Sequence, residues 1–96
     1  MADYVLSPRA ALDFQEIADY GFANFGIAKS RKYGQGLEKC IKHLAESPSI
    51  GLAADELADG LRRYKYESHW IFYLEQSREI LVVRVLQKNM DFVRHL

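Results

Sequence analysis

Apolar residues recur along this chain in two different periods. From Pro8 to Phe25, the residues Ala10, Phe14, Ile17, Gly21 and Phe25 follow one another at spacings of 4, 3, 4 and 4. That spacing lays them on one face of an α-helix, and Ala11, Ala18 and Phe22 widen the face. Ser7-Pro8 supplies the start. A serine oxygen accepts from a free N–H of the first turn, and proline fits the first helical position because its missing N–H has no partner there. Gly26 stands where a helix ends in left-handed backbone. Tyr33, Leu37, Cys40, Ile41 and Leu44 repeat the helical period and predict a second helix over residues 28–45, stopped by Ser47-Pro48. The short Gly26 connection predicts an antiparallel helical hairpin. Gly34 and Gly36 lie within the second helix, where each costs about 1 kcal/mol relative to Ala. They are expected to admit close approach of the first helix.

Before and after the hairpin the period is two. Tyr4-Val5-Leu6 reads as a short strand of β-formers. Residues 49–60, with Gly51, Leu52, Leu57 and Gly60, read as a loop with room for one helical turn. Leu61 to Tyr66 alternates, with Leu61, Arg63 and Lys65 on one face and Arg62, Tyr64 and Tyr66 on the other. Glu67-Ser68 turns the chain into a strand from His69 to Glu75, and residues 76–79 turn it again. Ile80 to Leu86 is almost continuously apolar, as a central strand covered on both faces should be. The tail from Asn89 to Leu96 fits one or two helical turns. The order β-α-α-β-β-β predicts an α+β fold, with the hairpin packed on a three- to four-stranded antiparallel sheet and a short C-terminal helix.

Composition narrows the class. The chain has 96 residues, 49% hydrophobic and 27% charged, which suits one soluble globular domain over residues 1–96. It contains no apolar run near the roughly 18 residues that span a bilayer, and Met1 to Tyr4 lack the features of a signal peptide. A cytoplasmic protein is the simplest expectation. Cys40 has no partner for a disulfide and falls in an apolar stripe, so it reads as a buried thiol. A domain this small must be held by one compact core or by a partner. The net charge of zero conceals blocks of −3 over residues 1–28, +4 over 29–44, −4 over 45–61 and +3 over 62–96. Two basic surfaces separated by acidic ones are expected.

Candidate chemistry is sparse. No two of His43, His69 and His95 have metal-ligand spacing on one element, and there is no phosphate loop or nucleophile motif. No cofactor is expected. His43 reads as a surface residue, His69 as a hydrogen-bonded structural residue, and His95 as part of a free tail. Tyr33, Phe72 and Trp70 are expected to pack between sheet and hairpin. Tyr4, Tyr20, Phe22 and Phe25 together would form an apolar strip at the hairpin margin that a partner could cover.

The element order and a collinear set of motifs resemble the RelE/ParE toxin superfamily. Tyr4-Val5-Leu6-Ser7-Pro8-Arg9-Ala10, with Asp13-Phe14 and Ile17, is similar to the start of ParE toxins. Tyr20, Phe25-Gly26, Ala28 and Tyr33 resemble their hairpin, and Leu44-Ala45, Ser47-Pro48 and Gly51 the end of its second helix. Gly60-Leu61-Arg62, residues 68–73, Arg84-Val85-Leu86 and Met90-Asp91 resemble their strands and tail. The resemblance covers almost the whole chain. It implies the toxin half of a type II toxin–antitoxin pair, with DNA gyrase as the target and a ParD-like antitoxin as the partner. A hetero-oligomer would touch operator DNA only through the antitoxin.

The same superfamily holds ribosome-dependent messenger RNA endonucleases. Such cleavage needs a base, an acid and cations. The ribonuclease toxins place an arginine where this chain has Trp70, and commonly a His or Tyr where it reads Leu86-Gln87-Lys88. Gln87 also departs from ParE relatives, which often carry histidine there. The resemblance therefore implies a toxin that binds a protein target rather than an enzyme; the alternatives are a ribonuclease toxin using Arg62 and Arg84, or a non-toxic relative that only binds an antitoxin. Arg62, Arg63, Lys65, Arg84, Lys88, Met90 and Arg94 are the candidates for target contact, and Tyr4, Tyr20, Phe22 and Phe25 for antitoxin contact. Arg84 lies inside an apolar run and would otherwise be a buried structural cation.

Overall fold

The computed structural model describes residues 3–96; the reading of Met1 and Ala2 falls outside them. The elements run β1 (Asp3–Leu6), α1 (Pro8–Phe25), α2 (Ile27–Glu46), a 3-10 turn (Pro48–Ile50), β2 (Leu52–Ala53), β3 (Leu61–Tyr66), β4 (His69–Glu75), β5 (Glu79–Gln87) and α3 (Phe92–His95). The expected α+β class holds, and the sheet is larger than the alternation alone indicated. It has five strands in the order β1-β5-β4-β3-β2. β1 runs parallel to β5, and the remaining pairs are antiparallel. The added strand β2 is two residues from the stretch read as a loop, paired with Arg62 and Arg63.

The hairpin starts and turns as its residues dictate. The Ser7 hydroxyl accepts from the Ala10 N–H at 3.0 Å and donates to the Val83 carbonyl at 2.7 Å. One side chain thus caps α1 and ties it to β5. Gly26 has φ of +89°, a backbone that L side chains rarely adopt, and it joins the helices without a spacer. Close approach between the helices occurs at Gly21, whose missing Cβ makes room for Ser30. It does not occur at Gly34 or Gly36 as expected. Gly36 faces the Tyr66 hydroxyl on the sheet, and Gly34 faces open space, so α2 turns that side away from α1.

Apolar residues form a cluster on each face of the sheet. Between hairpin and sheet lie Ala10, Leu37, Ile41, Leu44, Ile71, Tyr73, Ile80, Val82 and Val85. On the opposite face Ala54, Leu61, Phe72 and Leu86 are buried, with Leu57, Trp70, Leu74, Val83 and Phe92 against them. Tyr33 does pack between sheet and hairpin, against Tyr66 and His69. Trp70 and Phe72 do not. Side chains alternate along β4, so His69, Ile71 and Tyr73 face the hairpin while Trp70 and Phe72 face away. The second cluster is roofed by the loop after β2 and by α3, whose Phe92 ring meets Phe72 edge-on at 4.9 Å.

The two glycines Gly34 and Gly51 give opposite expectations. Gly34→Ala meets nothing within 4 Å and should stabilise the chain by about 0.5–1 kcal/mol through helix propensity. Gly51→Ala would drive a Cβ into the Tyr73 hydroxyl, which donates to the Pro48 carbonyl at 2.6 Å and accepts from the Gly51 N–H at 3.0 Å. Overpacking at this buried clasp should cost about 1–3 kcal/mol. Urea unfolding of both variants checks the pair; equal effects would contradict the packing described.

Candidate functional site

The centre of the molecule is an ion pair between the first helix and the last strand. Asp13 lies on the inward face of α1, between Ala10 and Ile17, and is 6% exposed; Arg84 of β5 is 8% exposed. Arg84 Nε donates to Asp13 Oδ2 at 2.8 Å, and Arg84 Nη2 donates to Oδ1 at 3.0 Å. The Val85 N–H donates to the same Oδ2 at 2.9 Å. Three donors on one buried carboxylate satisfy it, which a buried charge requires. Hydrogen bonding to Asp13 raises the Arg84 pKa above its ordinary value.

A register shift places that arginine. Phe72 pairs with Arg84 and Tyr73 with Val82, so β5 carries one extra residue. The bulge puts both Val82 and Val85 on the hairpin side and frees Arg84 to reach α1. The remaining Arg84 group, Nη1, donates to the His95 carbonyl at 2.7 Å. The tail expected to be free is therefore pinned at His95 by the buried arginine. Arg84 offers no open positive surface. The expectation of a target contact at Arg84 gives way to the alternative, a structural cation, and the partner that makes it so is Asp13.

Arg62 is also engaged. Its Nη1 donates to the Gly51 carbonyl at 2.8 Å, holding the 3-10 turn against β3. Arg63 lies on the opposite face with its guanidinium carbon 5.1 Å from the Trp70 ring centroid. Its Nε is buried without a hydrogen-bond partner, an arrangement that costs about 1–3 kcal/mol while unsatisfied. Lys65, Lys88, Met90 and Arg94 are exposed.

On the hairpin side a groove of about 780 Å³ runs between α1, α2 and the end of β5. Tyr20 and Phe25 line it, with ring centroids 6.1 Å apart, together with Ile17, Val85 and Met90. Phe22 is exposed but does not line the groove. Tyr4 is separate from both: it packs half-buried on the core, with its hydroxyl 3.4 Å from Glu38 of α2. The structure thus brings together two of the four residues of the expected apolar strip. His69 forms part of the floor. Its Nδ1 is 2.6 Å from the Tyr33 hydroxyl, which also accepts from the Ser68 N–H at 3.3 Å. Burial lowers the His69 pKa, and the nearby Asp13 charge opposes that shift more weakly. The imidazole is therefore neutral at pH 7 and held in place. Among the described residues no group of three or more His, Cys, Asp or Glu side chains is gathered to hold a metal ion.

Neither the pairing of Asp13 with Arg84 nor that of Tyr33 with His69 is visible in the sequence. The available signal was Asp13 itself, an acidic residue in step with the apolar stripe of α1.

The family model described as "ParE toxin of type II toxin-antitoxin system, parDE" matches residues 4–92. Toxin ParE1 of Mycobacterium tuberculosis is 37% identical over 94 residues, covering 97% of this chain and 96% of that one. Toxin ParE1 of Caulobacter vibrioides is 33% identical, covering 100% and 99%. Toxin ParE of Escherichia coli is 33% identical, covering 100% and 94%. Among solved structures, a chain of the chromosomal ParDE TA system from P. aeruginosa superposes with a TM-score of 0.77 at 21% identity, covering 91% of this chain and 96% of that one.

Two measurements test the site. Asp13→Ala leaves a buried guanidinium and the Val85 N–H without their acceptor, so unfolding free energy should fall by about 3–5 kcal/mol; a loss under about 1 kcal/mol would mean the pair acts like an exposed one. The second concerns pH. The unfolded chain's His69 takes up a proton near pH 6.5, whereas the folded one resists it until lower pH. Stability should therefore be flat above neutrality and fall as pH drops through 6.5 toward the folded value. The difference between the wild type and His69→Gln, followed by thermal melting from pH 8 to 5, isolates that component; parallel curves would show that His69 is not held neutral.

Proposed function

Because the chain belongs to the ParE toxin family of type II toxin–antitoxin systems, we propose that it arrests growth by binding DNA gyrase and is neutralised by a ParD-like antitoxin. The observation that carries the reading is the family match over residues 4–92, with relatives aligned end to end. The groove geometry supports a protein partner on the hairpin side. Tyr20 and Phe25 offer apolar area beside it, Phe22 and Leu12 lie exposed on α1, and β1 keeps one edge of the sheet unpaired near Tyr4. An antitoxin segment laid there would bury these residues and leave the opposite sheet face free. Lys65, Lys88 and Arg94, with Arg63 beside Trp70, are the residues assigned to the target, while Met90, which lines the groove, falls to the antitoxin side. Arg62 and Arg84 support that surface from within.

In this reading residues 1–96 act as one cytoplasmic toxin domain, in a hetero-oligomer with the antitoxin, without catalysis. Trp70, stacked under Arg63, brings no charge to the place where ribonuclease relatives put an arginine. Among the described residues no helix is long and apolar enough to cross a membrane.

Inducing the chain without its antitoxin should produce filamentous cells with an SOS response and intact messenger RNA. With purified gyrase it should block supercoiling and accumulate cleaved DNA. Codon-dependent transcript cleavage on ribosomes would replace this reading with a ribonuclease one. Normal growth alongside antitoxin binding would mark a relative that has lost toxicity.

A further inference from the structure

Arg63 differs from the other arginines of the sheet. Arg62 and Arg84 have backbone and carboxylate acceptors, whereas the Arg63 Nε is buried and unpartnered. Its guanidinium is held over the Trp70 ring at 5.1 Å, which fixes the fork without occupying it. Lys65 lies directly opposite Trp70 in the β3–β4 register. Lys88, whose N–H donates to the Ser68 carbonyl, lies at the same end of the sheet. The acidic residues of β4 and β5, Glu75 and Glu79, sit at the far end of their strands; the acids toward this end are Glu67 in the exposed turn and Asp91 in the segment after β5.

We infer that this corner of the outer sheet face is a binding site for an unpaired stretch of DNA strand, with a backbone phosphate on the Arg63 fork. A phosphate suits the two terminal Nη groups of Arg63, which have no acceptor among the described residues, while Nε stays buried beneath them. Lys65 and Lys88 add point charges for neighbouring phosphates. A base can continue the stack that Trp70 and Arg63 begin, because a guanidinium plane accepts a π-face on its open side. An acidic peptide would use the cations but not the stack. A duplex would keep its base faces closed, and the helix on this face, α3, is a four-residue turn too short to enter a groove. The choice of DNA over RNA rests on the gyrase reading, in which the target holds broken DNA; the phosphate and stacking chemistry does not.

The test uses the full chain and a short fluorescein-labelled single-stranded DNA, read by anisotropy across a salt series. Binding by the wild type should weaken with salt at a logarithmic slope of about −2, as three phosphate contacts on a single strand require. Arg63→Gln should weaken binding about tenfold or more and reduce the slope by about 0.7. Trp70→Phe should weaken it severalfold and leave the slope alone. Lys65→Gln serves as a second charge variant if Arg63→Gln melts early. Absent wild-type binding, or variants that bind as the wild type does, would overturn the site. Stronger binding of RNA of the same sequence, or displacement of DNA by polyglutamate at equal charge, would overturn the ligand assigned. Gyrase assays run in parallel separate the two readings. Arg63-dependent DNA binding without gyrase inhibition sustains this site and removes the gyrase target. Gyrase inhibition that survives Arg63→Gln, with no DNA binding, removes this site alone.

Discussion

One buried carboxylate holds three parts of the molecule in register. Asp13 of α1 accepts from Arg84 and from the Val85 N–H of β5, and Arg84 carries the connection on to the His95 carbonyl of the tail. β1 pairs with β5 only as far as Val82. Beyond that residue the edge of β5 would lie open, and a side-chain oxygen takes the place of a neighbouring strand at Val85. An open edge invites unwanted pairing. Here the acceptor that closes it also orients the only arginine of β5.

The pair has a consequence for function because it lies where the two faces meet. On the hairpin side it borders the groove floored by His69 and lined by Tyr20 and Phe25. On the other side it anchors the tail whose Phe92 covers Phe72. The exposed cations Lys88 and Arg94 follow β5 in the tail that this anchor holds. A charge buried this deeply contributes less through its net energy than through the single arrangement it permits, since either partner alone is strongly unfavourable.

Much of this was legible in the residues. Ser7-Pro8, Gly26 and the stripe through Ala10, Phe14 and Ile17 marked α1 and the hairpin turn, because caps and helical spacing are local. The strands from Leu61 onward were legible for the same reason. Three features were not. The parallel pairing of β1 with β5 joins residues more than seventy positions apart, and a four-residue strand carries no mark of direction. The side on which Trp70 and Phe72 pack was hidden because both sheet faces are covered, so both are apolar and alternation alone does not say which one meets the hairpin. Arg84 stood out in its apolar run, but its partner is an ordinary-looking Asp in a helix, and only the fold brings them to 2.8 Å. The candidate surfaces were accordingly read too broadly. Arg62 and Arg84 are committed to internal acceptors, and Tyr4 lies apart from Tyr20 and Phe25.

The central claim is that the two faces serve different partners: antitoxin on the hairpin groove, target on the outer sheet face. Amide hydrogen exchange of the chain, free and saturated with its antitoxin, tests this most directly. The separation predicts slower exchange along α1 and the first turns of α2 in the complex, with exchange from Arg63 to Lys65, at Trp70 and at Lys88 unchanged. New protection centred on Arg63 to Trp70, with α1 unaffected, would contradict it.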